Sequence, residues 1–197
     1  MDILQQTHPA FQEGVGVKII RFETPSTVWV RIHQFPEITI QLNYDIVENP
    51  SLYIVEPGSL TSGMLVATLI TVGTLSLWDR AVLLQKTTTG CYVFLIDWGV
   101  KIHQTIEMIR LLPHKFRSEA PWARRIRVLG VRDQPRQTIR HRLAKFILSR
   151  KLFGNLFNIN TSPGGAMSAT LLLNWTYGEP PRDVASYLLL LGVVDPE

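Results

Sequence analysis

The sequence predicts a mainly β fold with some α-helix, in which a small barrel is inserted into a second lobe that the chain enters twice. Three observations predict it. Period-two alternation of apolar and polar residues recurs along the 197-residue chain. Four short strand patterns at about ten-residue spacing fall together within residues 64–105. The segments on either side are each too short for a stable domain, so we expect them to pair as one split lobe.

The first predicted element is a β-hairpin at residues 16–33, where alternating segments flank the turn signal Glu23-Thr24-Pro25-Ser26-Thr27. Residues 38–42 are expected to add a short strand. Residues 45–54 are ambiguous, because Asn49-Pro50 interrupts any helix that crosses it.

The barrel follows the linker pattern Pro57-Gly58-Ser59. A sheet of such short strands buries its apolar face best by closing on itself. Residues 107–111 are expected to supply one further turn of helix or strand, and Leu112-Pro113 ends the unit. The four strands are predicted at residues 64–70, 77–85, 91–96 and 101–105.

The second part of the split lobe begins with a strand in residues 123–131. Residues 138–149 place apolar side chains at helical spacing opposite basic ones, which predicts a basic amphipathic helix. Strands at 156–159 and 169–176 flank a flexible turn, and Asp183 is the predicted cap of a last helix at 184–191. The expected organisation is a linker at 1–14, the split lobe at 15–56 and 114–197, and the barrel at 57–113.

Cysteine content and the N-terminus indicate the compartment. Cys91 is the single cysteine, so an internal disulfide and a cysteine-based zinc site are both excluded. Residues 1–14 lack the basic and apolar regions of a signal peptide, and no apolar run approaches the length of a membrane span. We expect an intracellular domain that does not enter a membrane.

The net charge of +4 is unevenly distributed. Twelve Lys and Arg stand against Glu119 and Asp133 between residues 115 and 151, whereas the rest of the chain has eight Lys and Arg against fourteen Asp and Glu. This asymmetry predicts a basic face and an acidic face with different partners.

Catalytic patterns are not found in the sequence. The five histidines lack the spacing of a helical metal pair, and the chain has neither a phosphate-binding loop nor a Gly-x-Ser-x-Gly motif. Asp97 is the most enzyme-like acid, but a lone aspartate at a strand end is more often a salt-bridge partner. We expect no enzyme activity, no metal and no cofactor.

Three stretches together resemble an extended Tudor domain, in which a Tudor barrel of SH3-like form is inserted into a split staphylococcal-nuclease-like OB lobe. Residues 17–32 resemble the opening hairpin of that lobe. In the barrel, Trp78-Asp79-Arg80-Ala81 resembles the family's Trp-Tyr-Arg-Ala, and the strand ending in Asp97-Trp98-Gly99-Val100 resembles Asp-Tyr-Gly-Asn. Pro121-Trp122-Ala123 resembles the segment by which the family's chain re-enters the lobe, and residues 184–193 resemble the closing helix of that lobe.

The family's barrel binds methylated arginine in an aromatic cage. The four cage positions match Leu69, Asp79, Leu95 and Trp98 here, and the family's guanidinium-binding Asn matches Val100. Only Trp98 is aromatic, so the resemblance implies a degenerate cage. The same resemblance assigns Arg80 and Asp97 to a structural pair inside the barrel.

The resemblance implies a non-catalytic scaffold that binds an arginine-rich N-terminal peptide of a PIWI-clade Argonaute, within a multidomain protein of the piRNA pathway. The expected binding place is the groove between barrel and lobe, and the expected location is the cytoplasm, in perinuclear germ granules (nuage). We predict that Asp79 pairs with an unmodified guanidinium stacked on Trp98, so that methylation is not needed.

Two other functions stay open. One is a single-stranded RNA-binding module on the OB-like lobe, whose candidate phosphate contacts are Arg124, Arg125, Arg127, Arg140 and Arg142. The other is a vestigial nuclease, which ranks last because no cluster of acidic metal ligands is seen in the sequence.

Overall fold

The computed structural model describes residues 3–34, 37–135, 138–149, 153–174 and 180–197. The chain divides into two compact units. The outer unit comprises Met1–Gln34 and Ala123–Glu197, and the inserted unit comprises Phe35–Trp122.

Within the described residues, the regular elements are short strands and three α-helices. The helices are α1 (Glu37–Glu48), α2 (Ile139–Ser149) and α3 (Val184–Leu190). The strands are β1 (Gly16–Thr24), β2 (Thr27–Ile32), β3 (Leu65–Val72), β4 (Leu75–Thr87), β5 (Gly90–Leu95), β6 (Val100–Gln104), β7 (Ile109–Leu111), β8 (Ala123–Val128), β9 (Val131–Asp133), β10 (Phe153–Thr161), β11 (Met167–Leu173), β12 (Arg182–Asp183) and β13 (Val194–Pro196).

The outer unit is a closed ring of strands. Strand β1 pairs antiparallel with β2 and β10, β2 pairs with β8, β8 runs parallel to β11, and β11 pairs with β10 to complete the ring. Helix α2 lies in sequence between the third and fourth of these strands. This connectivity is that of an OB-fold, as predicted for the split lobe.

The sequence alternation explains the core of the outer unit. Every second residue of β11 is buried, from Met167 to Leu173, because successive side chains of a strand point to opposite faces. Helix α3 begins where predicted: the Asp183 carboxylate accepts hydrogen bonds from the backbone N–H groups of Ala185 and Ser186. The predicted strand at 169–176 ends at Leu173, and its residues 175 and 176 lie outside the described part of the chain.

The inserted unit is a five-stranded antiparallel barrel with the strand order β6-β5-β4-β3-β7. Its four main strands are those predicted from the alternation, and residues 106–111 form a 3-10 turn followed by β7. The interior is filled by fully or almost fully buried aliphatic side chains, which include Val66, Ala81, Leu83, Val93 and Ile109.

The expectation of a short strand at 38–42 is wrong, because these residues begin helix α1. Alternating β-branched residues favoured a strand locally. The helix instead buries Ile38, Leu42 and Ile46, which are four residues apart and therefore lie on one helical face. Asn49-Pro50 ends the helix, as expected.

The unit boundaries differ from the predicted ones at both junctions. Residues 35–56 and 114–122 group with the barrel, whereas they were expected in the split lobe. The predicted linker 1–14 instead belongs to the outer unit, where Ile3 and Phe11 are buried and Arg124 donates a hydrogen bond to the carbonyl oxygen of Gln6. No helix in the described part of the chain has the length and apolar character needed to cross a bilayer.

Candidate functional site

A mostly apolar cavity of about 270 Å³ opens in the inserted unit. The end of β3 supplies one side, and the turn from β5 into β6 supplies the other. The lining residues are Ile70, Thr71, Leu95, Trp98, Val100, Ile102 and Gln104. The structure therefore brings together three of the five predicted peptide-binding residues, namely Leu95, Trp98 and Val100.

Among the described residues that line the cavity, Trp98 is the one that is aromatic. It lies in the turn between β5 and β6, which is closed by backbone hydrogen bonds from Trp98 and Gly99 to the carbonyl oxygen of Leu95. The indole Nε1–H donates to the Asp79 carboxylate at 2.7 Å. The orientation of the ring is thus fixed by a buried acceptor.

Asp79, which accepts this hydrogen bond, is fully buried. One carboxylate oxygen accepts from Trp98 and the other accepts from the Thr39 hydroxyl at 2.9 Å. This placement corrects the expectation that Asp79 faces a ligand: both oxygens are already hydrogen-bonded within the unit. Asp79 is therefore a positioning residue for Trp98.

Burial raises the pKa of Asp79 to about 7, and the nearby Asp97 carboxylate adds to the increase. The hydrogen bonds from Thr39 and Trp98, together with the Arg80 guanidinium, act in the opposite direction. A protonated Asp79 keeps both contacts, because its hydroxyl can donate to the Thr39 oxygen while the other oxygen still accepts from the indole.

Leu69 contributes to the site through its backbone: its carbonyl oxygen accepts a hydrogen bond from Gln104 Nε2. With its amide nitrogen held there, Gln104 can present its side-chain oxygen as an acceptor. Four lining residues were not predicted from the sequence: Ile70, Thr71, Ile102 and Gln104. A signal for two of them was present: Val100, Ile102 and Gln104 alternate along β6 and so share one face of the strand.

Arg80 and Asp97 form the buried ion pair that the resemblance implied. Arg80 Nε and Nη2 donate to the two carboxylate oxygens of Asp97 at 2.8 and 2.7 Å, and both side chains are at most 1% exposed. Arg80 also donates to the carbonyl oxygens of Phe116, Glu119 and Ala120. The pair therefore ties β4 and the β5–β6 turn to the segment that follows the barrel.

Comparisons with solved structures find similar chains. The extended Tudor domain TD3 of mouse TDRD1, solved with a MILI peptide containing dimethylarginine, is 11% identical with a TM-score of 0.73, covering 97% of this chain and 98% of that chain. The extended Tudor domain of Drosophila melanogaster Tudor-SN is 22% identical with a TM-score of 0.73, covering 94% and 85%. A Drosophila melanogaster Papi extended Tudor domain variant, solved with an unmethylated Piwi N-terminal peptide, is 12% identical with a TM-score of 0.68, covering 94% and 100%.

This chain has the extended Tudor fold. No protein-family model matches it, and no curated protein sequence does either. Within this fold the inserted unit is the Tudor barrel and the outer unit is the OB-like lobe. The predicted fold class is confirmed.

The arginines proposed to contact RNA are used in different ways in the OB-like lobe. Arg124 is buried and donates to the carbonyl oxygens of Gln6 and Gly165, and burial lowers its pKa. Arg125 pairs with Glu23, and Arg127 pairs with Glu197. Arg140 and Arg142 are exposed on α2.

The basic stretch that suggested RNA binding also includes Arg136, Arg150 and Lys151, which lie outside the described residues. Across the described ranges, no group of three or more His, Cys, Asp or Glu side chains is placed to hold a metal ion.

Proposed function

We propose that this chain is a non-catalytic peptide-binding module whose Tudor barrel binds an arginine side chain without requiring methylation. The observation that carries the proposal is the composition of the cavity: one indole, aliphatic walls and two neutral polar groups. A cage for a methylated guanidinium needs several aromatic faces around the cation.

The cavity suits an unmodified arginine. The aliphatic stem of the side chain can lie against Ile70 and Val100 while the guanidinium plane stacks on Trp98. The hydroxyl of Thr71 and the side-chain oxygen of Gln104 are available in the lining as neutral acceptors for guanidinium N–H groups. Methylation of the guanidinium would remove N–H donors and add bulk, so we expect the cavity to bind unmodified arginine at least as tightly as methylated arginine.

The partner we propose is an arginine-rich N-terminal tail of a PIWI-clade Argonaute, bound by a multidomain scaffold of the piRNA pathway in perinuclear germ granules. Support for this comes from the structures with the same fold that hold MILI and Piwi peptides. The inserted unit also has six Lys and Arg against eight Asp and Glu, and this acidic balance favours a cationic tail.

The test is calorimetric titration of the whole chain with three versions of one Arg-Gly/Arg-Ala-rich peptide: unmethylated, symmetrically dimethylated, and with every arginine replaced by lysine. We expect micromolar binding of the unmethylated peptide, equal or weaker binding of the methylated one, and at least tenfold weaker binding of the lysine version, because lysine has no planar fork to stack. Binding of the methylated peptide alone would contradict the proposal.

Two variants separate the cavity from the rest of the barrel. Trp98→Ala is expected to weaken binding of the unmethylated peptide at least tenfold, since it removes the aromatic face on which the guanidinium stacks. Tyr92→Ala is the matched control: Tyr92 is a half-exposed aromatic residue of the same barrel that lies beside Lys101 and His103, outside the cavity lining. Equal losses in both variants would place the peptide elsewhere.

A further inference from the structure

Helix α1 of the Tudor barrel exposes a row of apolar side chains on the face opposite its buried one. Ile40, Tyr44 and Val47 are 48%, 66% and 69% exposed, and they recur at the spacing i, i+4, i+7 that aligns side chains along one helical face. We call these three residues the α1 row.

The α1 row has an acidic border. Glu37 and Glu48 are exposed at the two ends of the helix, and residues 35–56 contain no Lys or Arg. Asp45, on the same helix, is paired with Lys115. An apolar row with this border favours a partner that is apolar and basic.

Helix α2 of the OB-like lobe has those properties. Ile139 and Leu143 are 84% and 56% exposed, and Phe146 follows three residues later with 55% exposed. These three residues, the α2 row, have the same i, i+4, i+7 spacing as the α1 row. Arg140 and Arg142 are exposed beside them, and α2 contains no Asp or Glu.

We propose that the α1 row of one copy of this chain packs on the α2 row of a second copy. Equal spacing lets the side-chain ridges of one short helix fit between those of the other. Opposite borders make this pairing electrostatically favourable, whereas α1 on α1 would bring carboxylates together and α2 on α2 would bring guanidinium groups together. The net charge of each unit has the same sign as the border of its helix. The outer unit, which contains α2, is basic, with 14 Lys and Arg against 8 Asp and Glu; the inserted unit, which contains α1, is acidic, with 6 against 8.

The contact joins two different surfaces of the same chain, so it is heterologous. Such contacts extend into open assemblies unless the rotation between copies closes a ring. Two helices of 12 and 11 residues cover much less than the roughly 1,600 Å² of a standard stable interface. The association is therefore expected to be weak, reversible and dependent on protein and salt concentration.

The experiment uses two complementary variants of the whole chain. The α1 variant carries Ile40→Ser, Tyr44→Ser and Val47→Ser, and the α2 variant carries Ile139→Ser and Leu143→Ser. Sedimentation velocity over a hundredfold concentration range should show the wild-type mass growing beyond a dimer. Each variant alone should remain a monomer, and their equimolar mixture should form a dimer and stop there, because only one intact pair of rows remains.

A matched control is Leu190→Ser on α3, which removes an equally exposed apolar side chain (84%) outside both rows and should leave the association unchanged. Circular dichroism checks that all variants are folded. A charge exchange gives an independent readout: Arg140→Glu with Arg142→Glu should abolish association. Mixing that variant with a Glu37→Lys, Glu48→Lys variant should restore growth beyond a dimer, because the α1 row of each variant again meets an α2 row with a border of opposite charge.

Two results would overturn the proposal. The first is a wild-type chain that remains monomeric over the whole concentration range. The second is a variant that still associates with itself, which would mean that like rows pair. The α1 and α2 variants leave the cavity around Trp98 intact, so a failure of self-association is distinguishable from a failure of peptide binding.

Discussion

At the scale of single residues, Asp79 accounts for most of the difference between the expected site and the observed one. Its position in the sequence suggested a carboxylate facing a ligand cation. In the structure it is buried, hydrogen-bonded to Thr39 and Trp98, and has a pKa raised to about 7. Its contribution to binding is therefore indirect, through the orientation of the indole.

This buried carboxyl group predicts a pH dependence of stability. Because the pKa of Asp79 is higher in the folded protein than in the unfolded chain, the folded state binds the proton more tightly. The free energy of unfolding should therefore fall as the pH rises from about 4 to about 7 and then level off, by an amount on the order of 4 kcal/mol. Urea unfolding at a series of pH values measures this decline.

Asp79→Asn is the variant that isolates the effect, because the amide reproduces both contacts of the protonated acid and does not titrate. We expect its pH profile to be flatter than that of the wild type and its stability at pH 8 to be at least equal. Asp79→Ala, which removes both acceptors, should be less stable at every pH. A wild-type slope in the asparagine variant would show that other groups cause the decline.

The Arg80–Asp97 pair gives a second prediction at this scale. Asp97→Asn removes one charge and leaves the buried Arg80 guanidinium uncompensated, which we expect to lower the free energy of unfolding by about 3–5 kcal/mol. Asp45→Asn breaks the exposed bridge to Lys115 in the same barrel and should cost less than about 1 kcal/mol. Similar losses in the two variants, measured by urea unfolding, would contradict the structural importance assigned to the buried pair.

At the scale of elements, the longer strands were predictable, whereas helix α1 and the short strands β12 and β13 were not. Alternation identifies a strand whenever one face is more deeply buried than the other, as in β11 and the barrel strand β6. Helix α1 has a buried apolar face and an exposed apolar row, so residues 38–42 contain apolar side chains at both helical and strand spacing. Only the tertiary contacts decide between the two.

The cavity was predictable in part for a similar reason. Leu95, Trp98 and Val100 could be placed because they follow the motif in the β5–β6 turn. Thr39 could not, because it lies forty residues before its partner Asp79, on an element whose type was predicted wrongly. Hydrogen bonds between side chains so far apart in sequence leave no local pattern.

The element contacts predict which fragment folds independently. Residues 57–113, the barrel expected from the sequence, lack Thr39 and the three carbonyl groups that accept from Arg80. They also lack Asn43, whose side-chain amide bonds the N–H and C=O of Trp78 at the start of β4. We expect residues 35–122 to unfold cooperatively in urea and residues 57–113 to show no cooperative transition; a stable shorter fragment would contradict this.

At the scale of the whole molecule, the basic charge is concentrated in the OB-like lobe but is only partly available to an anionic ligand. Of the five arginines suggested by the sequence, three are held by the protein itself: Arg124 by backbone carbonyl groups, Arg125 by Glu23 and Arg127 by Glu197. The amino-acid composition gives the number of arginines, but it does not show which of them the fold places beside a carboxylate or a carbonyl group. Net charge therefore overstated the case for RNA.

This leads to a prediction for RNA binding by the whole chain. If Arg140 and Arg142 supply the phosphate contacts, about two counterions are released, and the association constant for single-stranded RNA should fall about sevenfold between 50 and 200 mM salt. Five contacts would give a decrease of more than about a hundredfold over the same range. Fluorescence anisotropy with a labelled single strand distinguishes the two slopes, and Arg140→Ala with Arg142→Ala should remove most of the binding. A steep slope that survives this double substitution would mean that other basic residues of the lobe contact phosphate, and that the lobe is a nucleic-acid surface after all.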